Sequence, residues 1–259
     1  MDILTNISLF SGAGGLDLGA KLVGGFRTVA YCEFNPYAQG VIKSRIRDGG
    51  LDDAPIWDDV STFDGKPWAG LVDVISGGFP CQDVSVAGKQ EGVSDGARSG
   101  LWKEYARIIR EVGPRFVFVE NVTGLLGWGG LGVVLGDLAE LGFDAEWEVL
   151  SAGQIGAPHE RERVWLVAYA DGIGRNSMEQ SKKDLRTRIN SQNIAKWVNA
   201  PHNILLSMDG AISTPLPGVL RVDDGVAEEL DGIRLCGNGV VPQASTVAWQ
   251  KIKEMAHGM

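Results

Sequence analysis

Val72-Asp73-Val74-Ile75-Ser76-Gly77-Gly78-Phe79-Pro80-Cys81-Gln82 reads as a buried strand that is cut off at its C-terminal end. Residues 72–76 have the apolar character of a parallel strand covered on both faces. Two glycines and a proline then break the strand and leave Cys81 just beyond it. In open α/β sheets, ligands and chemistry gather at the carboxyl ends of the strands. A nucleophilic thiol needs such a place, on a sharp turn near groups that favour the thiolate. A buried structural cysteine fits the same position. The rest of the chain has to decide between the two.

Working towards the N-terminus, Asn6-Ile7-Ser8-Leu9-Phe10 reads as a first strand running into Ser11-Gly12-Ala13-Gly14-Gly15, with a helix opening at Leu16. Strand, glycine turn and helix start form a nucleotide-type site, because the backbone can approach a ligand and the helix offers free N–H groups. Residues 28–32 read as a second strand that ends in Glu33, about twenty residues after the turn, where a ribose-binding acid belongs. The dinucleotide fingerprint is not met. Asp17 stands in place of its third glycine, which disfavours a nicotinamide cofactor and favours another adenosine-bearing one. A helix over 36–46 and a short strand over 54–57 follow. Asp59 beyond that strand suits an adenine amino group, or equally a turn or helix cap.

Towards the C-terminus, residues 83–100 are glycine-rich with few large apolar groups, and read as a mobile loop able to close over a substrate. The periodicity predicts a helix over 102–112 and a fifth strand over 115–119 that runs into Glu120-Asn121-Val122. Cys81 and Glu120 thus fall at the ends of strands expected to be neighbours, on the edge that carries the glycine turn. Glu120 as a cap would leave Cys81 unexplained. A helix over 131–141 precedes strands over 144–151 and 163–170, a hairpin or neighbours at the sheet edge. Arg161 and Arg163 between them are expected to point to opposite faces, one into a cleft and the other to a phosphate or a structural acid. Surface charge alternation is the alternative. Residues 171–235 are polar and weakly periodic, and a final amphipathic helix is expected over 242–256.

Composition sets outer bounds. The chain has 259 residues, 44% of them apolar, enough for one large domain or a large and a small one. The formal net charge of −9 disfavours non-specific coating of nucleic acid but permits a local basic cleft. Arg175, Lys182, Lys183, Arg186, Arg188 and Lys196 would suit such a cleft, or a solvated face. No apolar run is long enough to span a membrane, and the N-terminus lacks a signal-peptide pattern. Three cysteines make no paired framework, so a cytoplasmic location is expected, with no metal.

The motifs together resemble the DNA (cytosine-5)-methyltransferases of bacterial and bacteriophage type. Residues 8–16 are similar to the family's cofactor motif, Pro80-Cys81-Gln82 to its nucleophile motif and Glu120-Asn121-Val122 to its acid motif. Arg161 and Arg163 match its paired arginines, with His159 where glutamine is usual. Gly237-Asn238-Gly239-Val240-Val241-Pro242 resembles the last motif, with Gly239 where serine is frequent. The resemblance implies a Rossmann-like α/β sheet with helices on both faces. It assigns residues 1–170 to a catalytic and cofactor-binding domain, 171–235 to a small, reduced target-recognition lobe, and 236–259 to a segment returning to the first domain.

It also implies S-adenosylmethionine as methyl donor and a flipped cytosine in double-stranded DNA as acceptor. Cys81, Glu120, Arg161 and Arg163 would form the reacting set. Cys81 would attack C6, Glu120 would bind N3 and the amine, and Arg163 the O2 side, while Arg161 would support a loop or a phosphate. Phe10, Gly12, Gly14, Leu16, Glu33, Asp59, Pro80 and Asn238 would contact the cofactor. Ser85 and Lys89 would touch backbone phosphates. A monomer is expected, and a partner supplying specificity is left open. Two other readings stand beside this one: a tRNA cytosine-5 methyltransferase of the same fold, and a non-catalytic paralogue that binds the cofactor or DNA.

Overall fold

A computed structural model describes residues 2–80, 100–127, 130–157, 160–170 and 239–258. The expected nucleophile Cys81, the contact Asn238, the loop that follows Cys81 (with Ser85 and Lys89), the basic cluster and the recognition lobe lie outside the described residues.

The described chain runs β1 (Leu4–Leu9), α1 (Gly15–Val23), β2 (Phe26–Cys32), α2 (Pro36–Arg47), β3 (Ile56–Trp57), β4 (Val74–Gly77), α3 (Gly100–Val112), β5 (Phe116–Val122), α4 (Gly130–Glu140), β6 (Phe143–Ser151), β7 (Glu162–Ala170) and α5 (Pro242–His257). The strands form one sheet of order β3-β2-β1-β4-β5-β7-β6. β1 to β5 pair in parallel, while β7 is antiparallel to both β5 and β6. The strand order turns between β1 and β4, the switch point where an α/β sheet opens a crevice.

Strand alternation sends side chains to two cores. On one face Ile7, Leu9, Ile75, Val117, Val119 and Leu166 bury against Tyr105, Ile108 and Ile109 of α3 and Val134 and Leu138 of α4. On the other, Val74, Phe116, Phe118 and Val167 meet Leu16 and Ala20 of α1 and Ala248, Trp249 and Ile252 of α5. Helices therefore cover both faces, as the sequence predicts. Trp249 is the pin of the second core. Its ring meets Phe118 edge-on at 5.2 Å and Phe26 at 4.7 Å, and its indole N–H donates to the Leu16 carbonyl at 2.9 Å.

Local signals set the helix ends. The Asn35 side chain accepts from the Tyr37 and Ala38 amides and Pro36 fills the first turn, which starts α2. The Lys253 ammonium donates to the Val23 and Gly24 carbonyls at the end of α1. Gly77 lets β1 and β4 approach closely, since a Cβ there would lie 2.5 Å from the Leu9 carbonyl oxygen.

Candidate active site

The carboxyl edge carries several of the expected residues that are described. Leu9, Gly77 and Val119 stand level in β1, β4 and β5, so Phe10 and Gly78, just past the ends of their strands, lie level with Glu120, which is still paired with Trp165 of β7. β7 enters from the opposite direction, which sets its first residues on this same edge, with Arg163 opposite Val122.

The glycine turn follows β1. Phe10 holds a φ of 51°, the left-handed value that a bulky side chain rarely adopts, at a cost of roughly 1–3 kcal/mol. Its ring stacks on Tyr105, centroids 6.1 Å apart. Gly12 and Gly14 also have positive φ, and a Cβ at Gly12 would meet open space. The Glu33 carboxylate comes to the turn and accepts from the Gly12 amide at 2.7 Å and the Asn35 amide at 2.8 Å. The side chain of Leu16 is buried in the core. What it offers a ligand is its N–H in the first turn of α1, where amides lack intrahelical partners. Asp59 caps a 3₁₀ turn at Val60–Thr62, and the hydroxyl and amide of Ser61 both donate to it, which lowers its carboxyl below the ordinary value. Asp59 thus plays the capping part named as an alternative.

Asp17 is explained by structure. It is buried in α1, where the Ser8 and Thr28 hydroxyls donate to it at 2.9 and 2.8 Å and the Asn6 amide reaches it at 3.5 Å. Burial pushes its carboxyl up to about 6. It ties α1 to β1 and β2 below the turn.

Beyond β4, the Phe79 ring is buried against Trp102, centroids 5.2 Å apart, while Pro80 is exposed. The Asn121 amide donates to the Phe79 carbonyl at 3.0 Å. Glu120, only 8% exposed, forms an ion pair with Arg163, Oε1 to Nε 3.0 Å. Burial pushes the Glu120 carboxyl up; Arg163 and then Arg161 offset this in part, and the net remains upward. A Cβ at Gly78 would lie 2.6 Å from Glu120 Oε2, so a glycine is needed for the acid to sit against the nucleophile segment.

The expectation that Arg161 and Arg163 face apart is corrected. Arg161 directly precedes β7 in extended chain, its carbonyl continuing the pairing with the end of β6 at Ala152; residues two apart in such chain share a face, and both guanidiniums act on Glu120. Arg163 pairs with it, whereas Arg161 donates through Nη2 to the Gly239 carbonyl at 2.6 Å.

Two contributors escape the sequence reading, and a third, Asn121, was named there without a role. Phe34, 79% exposed beside Glu33, presents an aromatic ring to solvent at this edge. Its signal was an aromatic residue directly after the acid. Arg45 of α2 donates to the Ala13 carbonyl inside the glycine turn at 2.7 Å, a contact across 32 residues with no local signature. Asn121 was legible only as part of the acid motif. Cys32 is buried, and burial followed by Glu33, Asp59 and Asp58 pushes its thiol up to about 12, which disqualifies it as a nucleophile.

Residues 4–208 match the family model for C-5 cytosine-specific DNA methylase. The chain belongs to this family. It is 35% identical over 180 residues to the type II methyltransferase M.Eco47II of Escherichia coli, covering 66% of this chain and 42% of that protein. It is 31% identical over 192 residues to the orphan methyltransferase M.SPRI of Bacillus phage SPR, covering 71% and 43%. To M.HhaI of Haemophilus parahaemolyticus it is 32% identical over 170 residues, covering 64% and 49%. The chain thus spans less than half the length of these curated relatives. A solved structure of a Spodoptera frugiperda DNMT2 variant superposes with a TM-score of 0.65 over 97% of this chain and all of that one. At 14% identity this likeness speaks for the fold alone. Among the described residues no helix is long and apolar enough to cross a membrane, and no cluster of His, Cys, Asp or Glu could hold a metal.

Proposed function

We propose that this chain transfers a methyl group from S-adenosylmethionine to C5 of a cytosine flipped out of double-stranded DNA. The observation that carries the reading is the buried Glu120–Arg163 pair one strand from the segment leading to Cys81, on the edge that holds the glycine turn. The residues of the turn suit the donor: open space over Gly12, an acid at Glu33 for ribose hydroxyls, free amides at the start of α1 and an exposed ring at Phe34 for the adenine. S-adenosylmethionine, when bound, supplies an electrophilic methyl group.

Cytosine C5 is a poor nucleophile. Addition of the Cys81 thiolate to C6 forms an S–C6 bond and gives the ring an enamine whose C5 would take the methyl group, the donor's S–CH3 bond breaking to leave a neutral thioether. Glu120, whose carboxyl burial pushes up from its ordinary value, would hydrogen-bond N3 and the exocyclic amine, which offsets the charge that develops on the ring. Arg163, held by Glu120, faces the O2 side. Loss of the C5 proton to solvent water then returns the bonding pair to the ring and expels the Cys81 thiolate. Inside a duplex none of these atoms is reachable, so the base leaves the stack at a cost of a few kcal/mol.

Expression in a host lacking cytosine methylation, followed by bisulfite sequencing, tests the reading. Protected cytosines in a recurring context are expected, and Cys81→Ser should abolish them while the protein still binds S-adenosylmethionine. Methylation that survives Cys81→Ser refutes the nucleophile assignment. Methylation of tRNA but not DNA would move the substrate. A soluble chain that binds the cofactor yet protects nothing would favour the non-catalytic reading or a missing specificity partner.

A further inference from the structure

We propose that Arg161 is a positioning residue that clamps the C-terminal segment onto the glycine turn, so that it governs affinity for the methyl donor and touches neither the target base nor a DNA phosphate. The inference rests on the methyl-donor reading above.

Two contacts grip the same few residues. In one, the Arg161 guanidinium donates to the Gly239 carbonyl at 2.6 Å, joining positions 78 residues apart. The other is with the first residue of α1. A Cβ on Gly15 would lie 2.8 Å from the Val240 carbonyl oxygen and 2.9 Å from Val240 Cβ, so the backbone of Val240 lies directly on the turn. The segment is therefore held by both the arginine and the expected cofactor loop, and it emerges as α5 against α1. Gly239 directly follows Asn238 in the chain.

The arginine's own backbone is fixed. Its carbonyl accepts from the Ala152 amide at 3.2 Å, which anchors it to the connection after β6. Its guanidinium is half-buried, and burial together with Arg163 lowers its pKa, offset in part by Glu120. A phosphate ligand would be expected to leave an arginine reaching outwards with its fork open. Here one arm is committed to a backbone oxygen, and the neighbouring Arg163 is committed to Glu120. Two arginines two residues apart thus divide the work: one orients the acid, the other holds the segment that closes on the donor.

The test measures S-adenosylmethionine binding by calorimetry on the full chain, hydrogen exchange at residues 239–241, and kcat and KM on DNA, for the wild type and for Arg161→Ala, Arg161→Lys and Arg163→Ala. Arg161→Ala is expected to weaken donor affinity about tenfold, the scale of one charge-assisted hydrogen bond. It should also speed exchange at Val240 and Val241, and Arg161→Lys should recover part of both. Arg163→Ala should bind the donor like the wild type and lose turnover. Unchanged donor affinity and exchange in a folded Arg161→Ala would overturn the proposal. So would a loss confined to DNA affinity, as would equal donor losses in both alanine variants. If the wild type itself fails to bind the donor, the methyl-donor reading fails; the exchange measurement still judges the clamp, because it needs no ligand.

Discussion

Asp17 shows how a single side chain can be legible as an exception while its role stays hidden until the fold is seen. Its place in the glycine turn pattern disqualifies a dinucleotide fingerprint. Its partners Ser8, Thr28 and Asn6, on β1 and β2, show what it does instead. Burial raises its carboxyl from 3.8 to about 6. The folded chain therefore keeps a proton that the unfolded chain releases in that interval. Asp17's contribution to stability is fully present below its unfolded value and is lost as the pH rises through its folded one. The shift corresponds to roughly 3 kcal/mol. Relative to Asp17→Asn, the wild type should lose about that much stability between about pH 4 and 7, read by urea unfolding at a series of pH values. A difference between the two proteins that does not vary with pH would contradict the assignment.

At the scale of elements, the contact between α1 and α5 joins the two ends of the chain. It is close because α1 carries a glycine where α5 crosses. A Cβ on Gly19 would lie 1.8 Å from the Ser245 hydroxyl and 2.7 Å from the Pro242 carbonyl oxygen. The hydroxyl is itself tied down, donating to Pro242 at 2.7 Å, so neither atom can yield without moving the start of α5. Gly19→Ala is thus expected to destabilise the fold by about 1–3 kcal/mol, as overpacking does. Thermal unfolding would check this, and an unchanged midpoint would mean that the helices slide apart freely. β7 is the second element to consider. Its antiparallel entry between β5 and β6 reverses the direction of the chain, so a strand's beginning, with Arg163, meets another strand's end, with Glu120.

For the whole molecule, the last helix completes a core that the first strands begin. Ala244, Ala248, Trp249, Ile252 and Met255 are buried against residues of α1, β4, β5 and β7. Removal of residues 239–259 would expose that face and strip the Leu16 carbonyl of its indole donor. A chain ending at residue 238 should lose cooperative unfolding and bind the dye ANS, which marks exposed apolar surface. A sharp transition in that shortened chain would show that residues 1–238 fold without the returning segment. In the same way, half of the candidate site depends on the return: the grip of Arg161 on Gly239 exists only once the C-terminal segment has come back.

Much of this was written locally. The parallel strands announced themselves by continuous apolar runs, the helices by period, and the carboxyl edge by strands that each ended in glycine, cysteine or an acid. Cys81, Glu120 and Glu33 could be chosen because their chemistry is unusual at such places, and the family likeness rested on those same short motifs. The rest depended on contacts distant in sequence, which leave no periodic trace. Nothing near Arg45 says that it reaches the Ala13 carbonyl. Nothing near Gly78 says that its missing side chain makes room for Glu120. The order of β7 and β6, the shared face of Arg161 and Arg163, and the division of labour between those arginines were decided only when the sheet assembled. The physical reason is that local sequence determines backbone conformation and which face is apolar, whereas the partner of a buried polar group is whatever the tertiary fold brings within hydrogen-bonding distance.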